Sequence, residues 1–212
     1  MAKRFHILAL GLSLFTAASC VSVLPEQAVP SGLYRLSGVE PVASLQSDLV
    51  VREPTAVRLF SGSGMVTSDG DGALRLIVGV EWAGRATQLM QDGLIDAFSS
   101  DGEGTALSDM TGAAGAFELS WRVTDLTIMG NEAVCALSLT LLDGRSRTPL
   151  ARQELSSTIE VASTSPTVRA RALSDAAGEC VGLAAQFVAA EIEAAYSAAE
   201  MRESDSSDAS EG

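Results

Sequence analysis

Few side chains in this sequence could act as nucleophiles, bases or metal ligands. Among its 212 residues are three cysteines, Cys20, Cys135 and Cys180, and one histidine, His6. Lys3 is the single lysine. Histidine or lysine serves as the base of most catalytic triads, and Schiff bases and phosphate-binding loops need a lysine. The available chemistry therefore depends on whether His6 and Lys3 belong to the folded chain.

The first 19 residues have the features of a removable export signal. Lys3 and Arg4 stand near the start, an apolar stretch covers residues 7–15, and small residues precede Cys20. The apolar stretch is shorter than the roughly 20 residues that a membrane-spanning helix needs. We therefore predict that residues 1–19 are a signal peptide. The mature chain then has neither histidine nor lysine, which predicts a protein that is not an enzyme and needs no cofactor.

Cys20 is the predicted site of lipid attachment. Residues 16–20, TAASC, resemble the bacterial lipobox, in which the thiol receives a diacylglyceryl group and the cysteine becomes the acylated first residue. Ordinary cleavage with a free thiol is the alternative. Val21 stands where lipoproteins kept at the inner membrane commonly have Asp, so we expect the periplasmic face of the outer membrane of a Gram-negative bacterium. Residues 20–31 contain two prolines and are predicted to be a tether that reaches about 35 Å when extended.

The charge of the mature chain limits its partners. Removing Lys3 and Arg4 from the 14 cationic side chains leaves 12 against 27 acidic ones, a net charge near −15. Such a chain repels nucleic acid and anionic lipid headgroups. Contact with a membrane is therefore expected through the acyl chains and not through a basic surface.

An acidic, glycine-rich turn at residues 68–72 is the strongest candidate for metal binding. A calcium loop with Gly72 as its central glycine would need a Glu at its twelfth position, where the sequence has Val78. A hairpin turn is favoured instead, and no metal is expected. Use of Asp69 and Asp71 as the carboxylates of a hydrolase is a further alternative.

The elements before this turn are predicted to be short strands, and the element after it a longer strand. Strands are expected at 33–36 and 47–52, with 56–60 continuing the second after Pro54. Residues 65–67 and 73–80 form the arms of the predicted hairpin. A helix is predicted over residues 84–99 from its single apolar stripe, followed by a loop over 100–115.

The second half of the chain predicts a meander and a long helix. Apolar alternation predicts strands from Phe117 to Leu126, from Ala133 to Leu142 and from Leu150 to Val161. A helix from Ser165–Pro166 to Met201 is predicted to pack through residues three or four apart: Leu173, Ala176, Cys180, Leu183, Phe187 and Ala190. Cys135 and Cys180 would then lie on facing surfaces, either as a disulfide or as two buried thiols. A disordered acidic tail is predicted for residues 201–212.

The order of these segments resembles the auxiliary lipoproteins of ABC-type transport systems, the PqiC-like family. The resemblance depends on the lipobox, the tether, Glu81-Trp82-Ala83, residues 89–98 (LMQDGLIDAF), residues 117–123 (FELSWRV) and the alanine-rich final helix. It covers residues 20 to about 195. The domains are accordingly expected to be a signal peptide (1–19), a lipidated tether (20–31), an auxiliary lipoprotein domain (32–200) and the tail (201–212).

The resemblance implies a fold and a set of partners. The implied fold is α/β (α+β), a small mixed, largely antiparallel sheet with two helices packed on one face. The implied function is that of a non-catalytic accessory component in lipid transport between the two membranes. Its implied partners are an MCE-domain protein and, indirectly, an ABC permease and ATPase, and some members form homo-oligomeric rings.

Two questions stay open at the level of the sequence. Trp82 is expected either in the core or on a partner surface, whereas the alternating strand around Trp121 favours a core position for that indole. The alternative function is that of an envelope scaffold or regulator of cell-wall synthesis, which neighbouring genes would distinguish from transport.

Overall fold

The computed structural model of the protein describes residues 29–68 and 71–208. Its nine-stranded sheet contains β1 (Gly32–Tyr34), β2 (Leu49–Val51), β3 (Thr55–Ala56), β4 (Gly64–Ser68), β5 (Leu74–Trp82), β6 (Ala106–Ser108), β7 (Phe117–Met129), β8 (Glu132–Asp143) and β9 (Pro149–Glu160). The α-helices of these residues are α1 (Arg58–Ser61), α2 (Ala86–Asp96) and α3 (Pro166–Asp208).

Strands β7, β8 and β9 form the predicted antiparallel meander. β7 pairs with β8 over its whole length, and β8 pairs with β9. The turn between β7 and β8 contains Gly130 at a φ of 61°, a left-handed conformation that glycine adopts without strain. The sequence predicted all three strands because each is long and alternates apolar with polar residues.

The other edge of β7 pairs with three short strands placed end to end. β2 lies beside Phe117–Leu119, β3 beside Arg122–Val123 and β4 beside Thr127–Met129, all parallel to β7. Residues 49–68 thus behave as one interrupted strand, from which α1 loops out between β3 and β4. As predicted, β3 continues β2 beyond Pro54, but it ends at Ala56, where the prediction extended it to residue 60.

This arrangement corrects the predicted sheet. Strand β1 also pairs in parallel with β5, and β2 with β6, whereas β4 and β5 form an antiparallel hairpin. Five of the eight strand pairings in the described residues are therefore parallel, so the sheet is mixed and not largely antiparallel. Parallel pairing between strands of two or three residues leaves no local signal, because the residues of β7 that pair with β2 and β3 are 68 and 67 positions away in sequence.

Helices α2 and α3 pack on one face of the sheet, which we call the covered face. Their buried side chains share one core with Leu119, Trp121 and Val123 of β7. The opposite face, which we call the open face, presents alternate residues such as Ser120 and Arg122 of β7 to solvent. Two helices on one face were predicted, and the short α1 was not.

The buried surface of α3 differs from the predicted stripe. Leu173, Ala176 and Cys180 are fully buried as predicted, but Leu183 and Phe187 are half-buried, and the predicted Ala190 is exposed. The helix instead buries Ala177, Val181, Ala184, Ala185, Val188 and Ile192. The predicted positions repeat every 3.5 residues, whereas a straight α-helix repeats every 3.6, so such a stripe drifts by about 20° per seven residues.

Helix α3 is also longer than predicted. It continues to Asp208, so residues 202–208 are helical where the prediction had placed an acidic tail. Residues 209–212 lie outside the described part of the chain. No helix in the described residues combines the length and apolar character required to cross a membrane.

Candidate docking surface on the open face

Strand β5 has large apolar side chains on both of its faces. Ile77 and Val80 point to the covered face and are 7% and 1% exposed. Leu74, Leu76 and Val78 are between 46 and 82% exposed. Since successive residues of a strand alternate between its faces, these three residues form a row on the open face.

Two neighbouring strands enlarge this row. Leu33 on β1 is 64% exposed and pairs with Glu81, one of the β5 residues that points away from the core. Met129 on β7 is aligned with Leu74 through Ser68, which pairs with both. We call Leu33, Leu74, Leu76, Val78 and Met129 together the apolar stripe. Several large apolar side chains exposed on one face of a sheet are typical of an interaction site.

Gly79 fixes which side chains of β5 join the stripe. Its φ of 84° is available to glycine and strained for other residues. The irregularity at this position allows Val78 to point outward while Val80 and Trp82 point to the core. The carbonyl oxygen of Gly79 accepts a hydrogen bond from the N–H of Ser31 at 2.7 Å, which attaches the chain before β1 to β5. A side chain at residue 79 would disturb both the stripe and this attachment.

The backbone edge beside the stripe also has no strand partner in the described residues. β1 pairs only with Val80–Trp82 of β5, so no described strand pairs with Leu76–Val78 on that side. An exposed edge with alternate apolar side chains can accept an added strand from another protein. The stripe therefore combines apolar surface with a strand edge that β1 covers only in part.

Gly64 on β4 makes room for the stripe. A Cβ atom at this position would lie 2.7 Å from Cδ2 of Leu76. The absence of a side chain at Gly64 thus lets Leu76 lie against the neighbouring strand.

The opposite end of the open face is closed by charged side chains. Glu118 on β7 is 7% exposed, and its carboxylate accepts hydrogen bonds from Nε of Arg52 and a terminal nitrogen of Arg147. Arg147 has a φ of 61°, which is unfavourable for a residue with a side chain. Sequence reasoning missed this ion cluster because its members come from three separate segments. The two guanidinium groups neutralise the carboxylate and give it a structural role.

The acidic turn between β4 and β5 has hydrogen bonds typical of a hairpin turn. Asp69 lies outside the described residues, and Asp71 accepts hydrogen bonds from the N–H of Ala73 at 2.9 Å and from Arg75 at 3.1 Å. These contacts, first the N–H of Ala73 and then the Arg75 side chain, lower the pKa of Asp71. No group of three or more His, Cys, Asp or Glu residues in the described chain is placed to hold a metal ion.

The two tryptophans occupy core positions. Trp82 is 2% exposed, so the alternative that its indole lies on a partner surface is not supported. It points to the covered face because Gly79 shifts the alternation of β5. Trp121 is 4% exposed, and its indole N–H donates to the carbonyl oxygen of Arg52 at 2.6 Å. Trp121 therefore attaches β7 to the end of β2.

The remaining predicted site residues are the cysteines. Cys135 and Cys180 are both buried, and they are brought together where α3 crosses β8. Cys20 lies outside the described residues, so its acylation stays a prediction.

The sequence matches the family model described as "ABC-type transport auxiliary lipoprotein component" over residues 34–183, which is well over half of the chain. The chain belongs to this family. The matched region runs from β1 into α3 and includes β5 with most of the apolar stripe. No curated protein matches the sequence.

Two solved structures share the fold of this family member. A crystal structure of a protein from Xanthomonas campestris, assigned to the family model DUF330, aligns with a TM-score of 0.67 at 18% identity, over 80% of this chain and 99% of that one. A crystal structure of an uncharacterized protein aligns with a TM-score of 0.54 at 11% identity, over 75% of this chain and 99% of the other. At these identities the likeness concerns the fold alone.

Family membership confirms the resemblance on which the sequence prediction depended. The family consists of auxiliary lipoprotein components of ABC-type transport. Among the described residues, the apolar stripe is the candidate surface for contact with another protein.

Proposed function

We propose that the protein is a non-catalytic accessory lipoprotein of an ABC-type lipid transport system that contains an MCE-domain subunit. The observation that carries this proposal is the family match over residues 34–183. The scarcity of catalytic side chains in the mature chain supports it. The protein would hold in place, or complete, the lipid path that the other subunits provide between the two membranes.

We further propose that acyl chains on Cys20 hold the protein at the periplasmic face of the outer membrane. Several acyl chains at about 0.8 kcal/mol per buried methylene anchor a protein stably. Only residues 21–31 separate Cys20 from β1, so the sheet is held within about 35 Å of the bilayer. The chain enters the sheet beside β5, which places the apolar stripe near the tether.

The apolar stripe is proposed to dock the MCE-domain subunit. The stripe offers exposed apolar side chains beside a strand edge that β1 covers only in part, and both are suited to a protein surface with complementary strands. Through the MCE subunit, the protein would be linked indirectly to the permease and the ATPase.

We also propose assembly of several copies into a ring. The sheet of the described residues ends at β1/β5 and at β6 on one side of β7 and at β9 on the other, so contact between β6 and β9 would leave the β5 edge for the MCE-domain subunit. Contact between unlike edges of successive copies is head-to-tail, and head-to-tail contacts close into rings when the rotation permits. The size of such an assembly is measurable by light scattering of the acylated protein in detergent.

Affinity purification of the acylated protein from gently solubilised envelopes tests the function. We expect recovery of an MCE-domain subunit, together with its permease and ATPase in smaller amounts. Recovery of a cell-wall synthase without any transport subunit would instead support a scaffold or regulator.

The variant Cys20→Ser tests the role of the anchor. We expect this protein to be released from the membrane and transport to fall, because the sheet is no longer held near its partners. Transport at the full wild-type rate by the released protein would show that tethering is not required.

A further inference from the structure

Cys135 and Cys180 meet between the sheet and α3. Cys135 lies on β8 and Cys180 on α3, and both are fully buried. The thiol of Cys180 donates a hydrogen bond to the carbonyl oxygen of Cys135 at a distance of 3.5 Å. Both cysteines are free thiols in the structure.

Neighbouring contacts fix the position of α3 over β8. Ser157 on β9 pairs with Cys135 in the sheet, and its hydroxyl donates to the Glu179 carboxylate at 2.8 Å. Glu179 directly precedes Cys180 in α3. The packing of α3 on β8 and β9 therefore holds Cys180 next to Cys135.

The folded thiol pair is protected from reaction. A hydrogen bond with Cys180, together with burial, raises the pKa of the Cys135 thiol well above its usual range. Thiol–disulfide exchange needs a thiolate that the oxidant can reach. Any oxidation of this pair must therefore precede the closure of α3 over β8.

We propose that Cys135 and Cys180 become joined by a disulfide while the exported chain folds, so that α3 is covalently attached to β8. One cysteine thiolate attacks the disulfide of an envelope thiol oxidase and displaces one thiolate of that enzyme. The second cysteine thiolate then attacks the mixed disulfide and releases the oxidase as a dithiol. The two cysteines lose two protons and two electrons, and the oxidase disulfide takes up both electrons.

This disulfide would stabilise the packing of α3 on the covered face, and it would persist in an oxidising compartment. The two cysteines are 45 positions apart in sequence, so the bond removes much of the freedom of the unfolded chain. The inference rests on the export that the proposed function requires, and it does not depend on the transport role.

Alkylation and mass spectrometry of the full acylated protein test the proposal. The protein is extracted from envelopes without reductant, denatured in iodoacetamide and digested. We expect neither Cys135 nor Cys180 to be alkylated until a reductant is added, after which each should take up one carbamidomethyl group. Alkylation of both residues before reduction would overturn the disulfide.

The same digest separates failure of this inference from failure of the proposed function. A processed, acylated Cys20 combined with alkylated Cys135 and Cys180 would overturn the disulfide alone. An intact signal peptide with both cysteines alkylated would overturn the disulfide and the proposed export together.

A thermal measurement gives a second readout. Reduction of the denatured wild-type protein, followed by refolding with the reductant present, is expected to lower its Tm by roughly 5–15 °C. The Tm of Cys180→Ala should not respond to the reductant, because this variant cannot form the bond. An unchanged wild-type Tm on reduction would contradict the proposal, and if Cys180→Ala does not fold, the alkylation result decides.

Discussion

The two faces of β5 carry similar residues but serve different purposes. Ile77 and Val80 on the covered face are buried against the core that α2 and α3 complete. Leu76 and Val78 on the open face stabilise nothing comparable within the described chain, because more than half of each side chain is exposed. Apolar residues kept at such exposure are better explained by a partner than by folding. The comparison separates residues needed for the fold from residues available for docking.

The open face itself has two different ends. Around Glu118 it is closed by Arg52 and Arg147, whereas around Leu76 it is bare. The closed end satisfies a buried charge within the chain, and the bare end leaves apolar surface and a strand edge for another molecule. Docking is therefore expected at the β5 end of the face.

Substitution of neighbouring residues in β5 gives the largest expected contrast. Ile77→Ala should lower the free energy of unfolding by about 2–4 kcal/mol, because it removes buried side-chain volume. Val78→Ala should change it by less than about 0.5 kcal/mol, because the side chain is already in water. Urea unfolding followed by circular dichroism measures both values. Equal losses for the two variants would show that the faces do not differ in the way described.

Two glycines of α3 provide a second contrast. A Cβ atom at Gly178 would overlap the carbonyl oxygen of Ser37, whereas no atom lies within 4 Å of the corresponding position at Gly182. Gly178→Ala should therefore cost about 1–3 kcal/mol through overpacking. Gly182→Ala should add about 0.5–1 kcal/mol of stability, since alanine favours helices over glycine.

Thermal unfolding of both glycine variants checks this contrast. A stable Gly178→Ala protein would mean that the segment after β1 is not packed on α3 as described.

The closed end of the open face should respond to loss of its charge. Glu118→Gln removes the charge from hydrogen bonds to Arg52 and Arg147 and should cost about 1–2 kcal/mol. The two arginine side chains are 46% and 49% exposed, which limits the loss because water solvates them when the carboxylate is neutralised. Denaturant unfolding at neutral pH gives the value, and Glu154→Gln on the exposed surface of β9 is the control. No difference between these variants would argue against the ion cluster.

The smallest expected effect is the response of the β4–β5 turn to acid. Because the pKa of Asp71 is lowered in the folded chain, its carboxylate stabilises the turn at pH values above the ordinary aspartate pKa. This stabilisation should disappear as the pH falls through the lowered folded pKa. Nuclear magnetic resonance titration of the carboxyl carbon should show the low value, and Arg75→Gln should move it upward. A carboxyl titrating at the ordinary value would exclude the described contacts.

Long periodic segments made much of the fold predictable. Strands β7, β8 and β9 and helix α3 each repeat a pattern over many residues, and the sequence predicted all four. Strands β2, β3 and β4 depend on pairing with one edge of β7, so their parallel arrangement was not readable locally. The predicted buried positions of α3 were correct as far as Cys180. Beyond it they turned away from the core, because they repeat every 3.5 residues and the helix repeats every 3.6.

The docking surface was predicted less well than the fold. The sequence left Trp82 either in the core or on a partner surface, and the shift in alternation at Gly79 directs that indole into the core. Residues 74–80 contain apolar side chains at both even and odd positions, a pattern typical of a strand buried on both faces. Only the placement of the helices shows that one of these faces is open.

Recovery of the transport partner by stripe variants tests the central claim most directly. The double variant Leu76→Asp/Val78→Asp and the control Leu150→Asp, which changes a similarly exposed residue of β9, are purified from gently solubilised envelopes. We expect the Tm of both proteins to lie within about 2 °C of the wild type, since the altered side chains are exposed. The account predicts at least about tenfold less MCE-domain subunit with the double variant, corresponding to about 1.4 kcal/mol or more of binding free energy, and wild-type recovery with Leu150→Asp. Equal recovery with all three proteins would contradict the assignment of the apolar stripe as the docking surface.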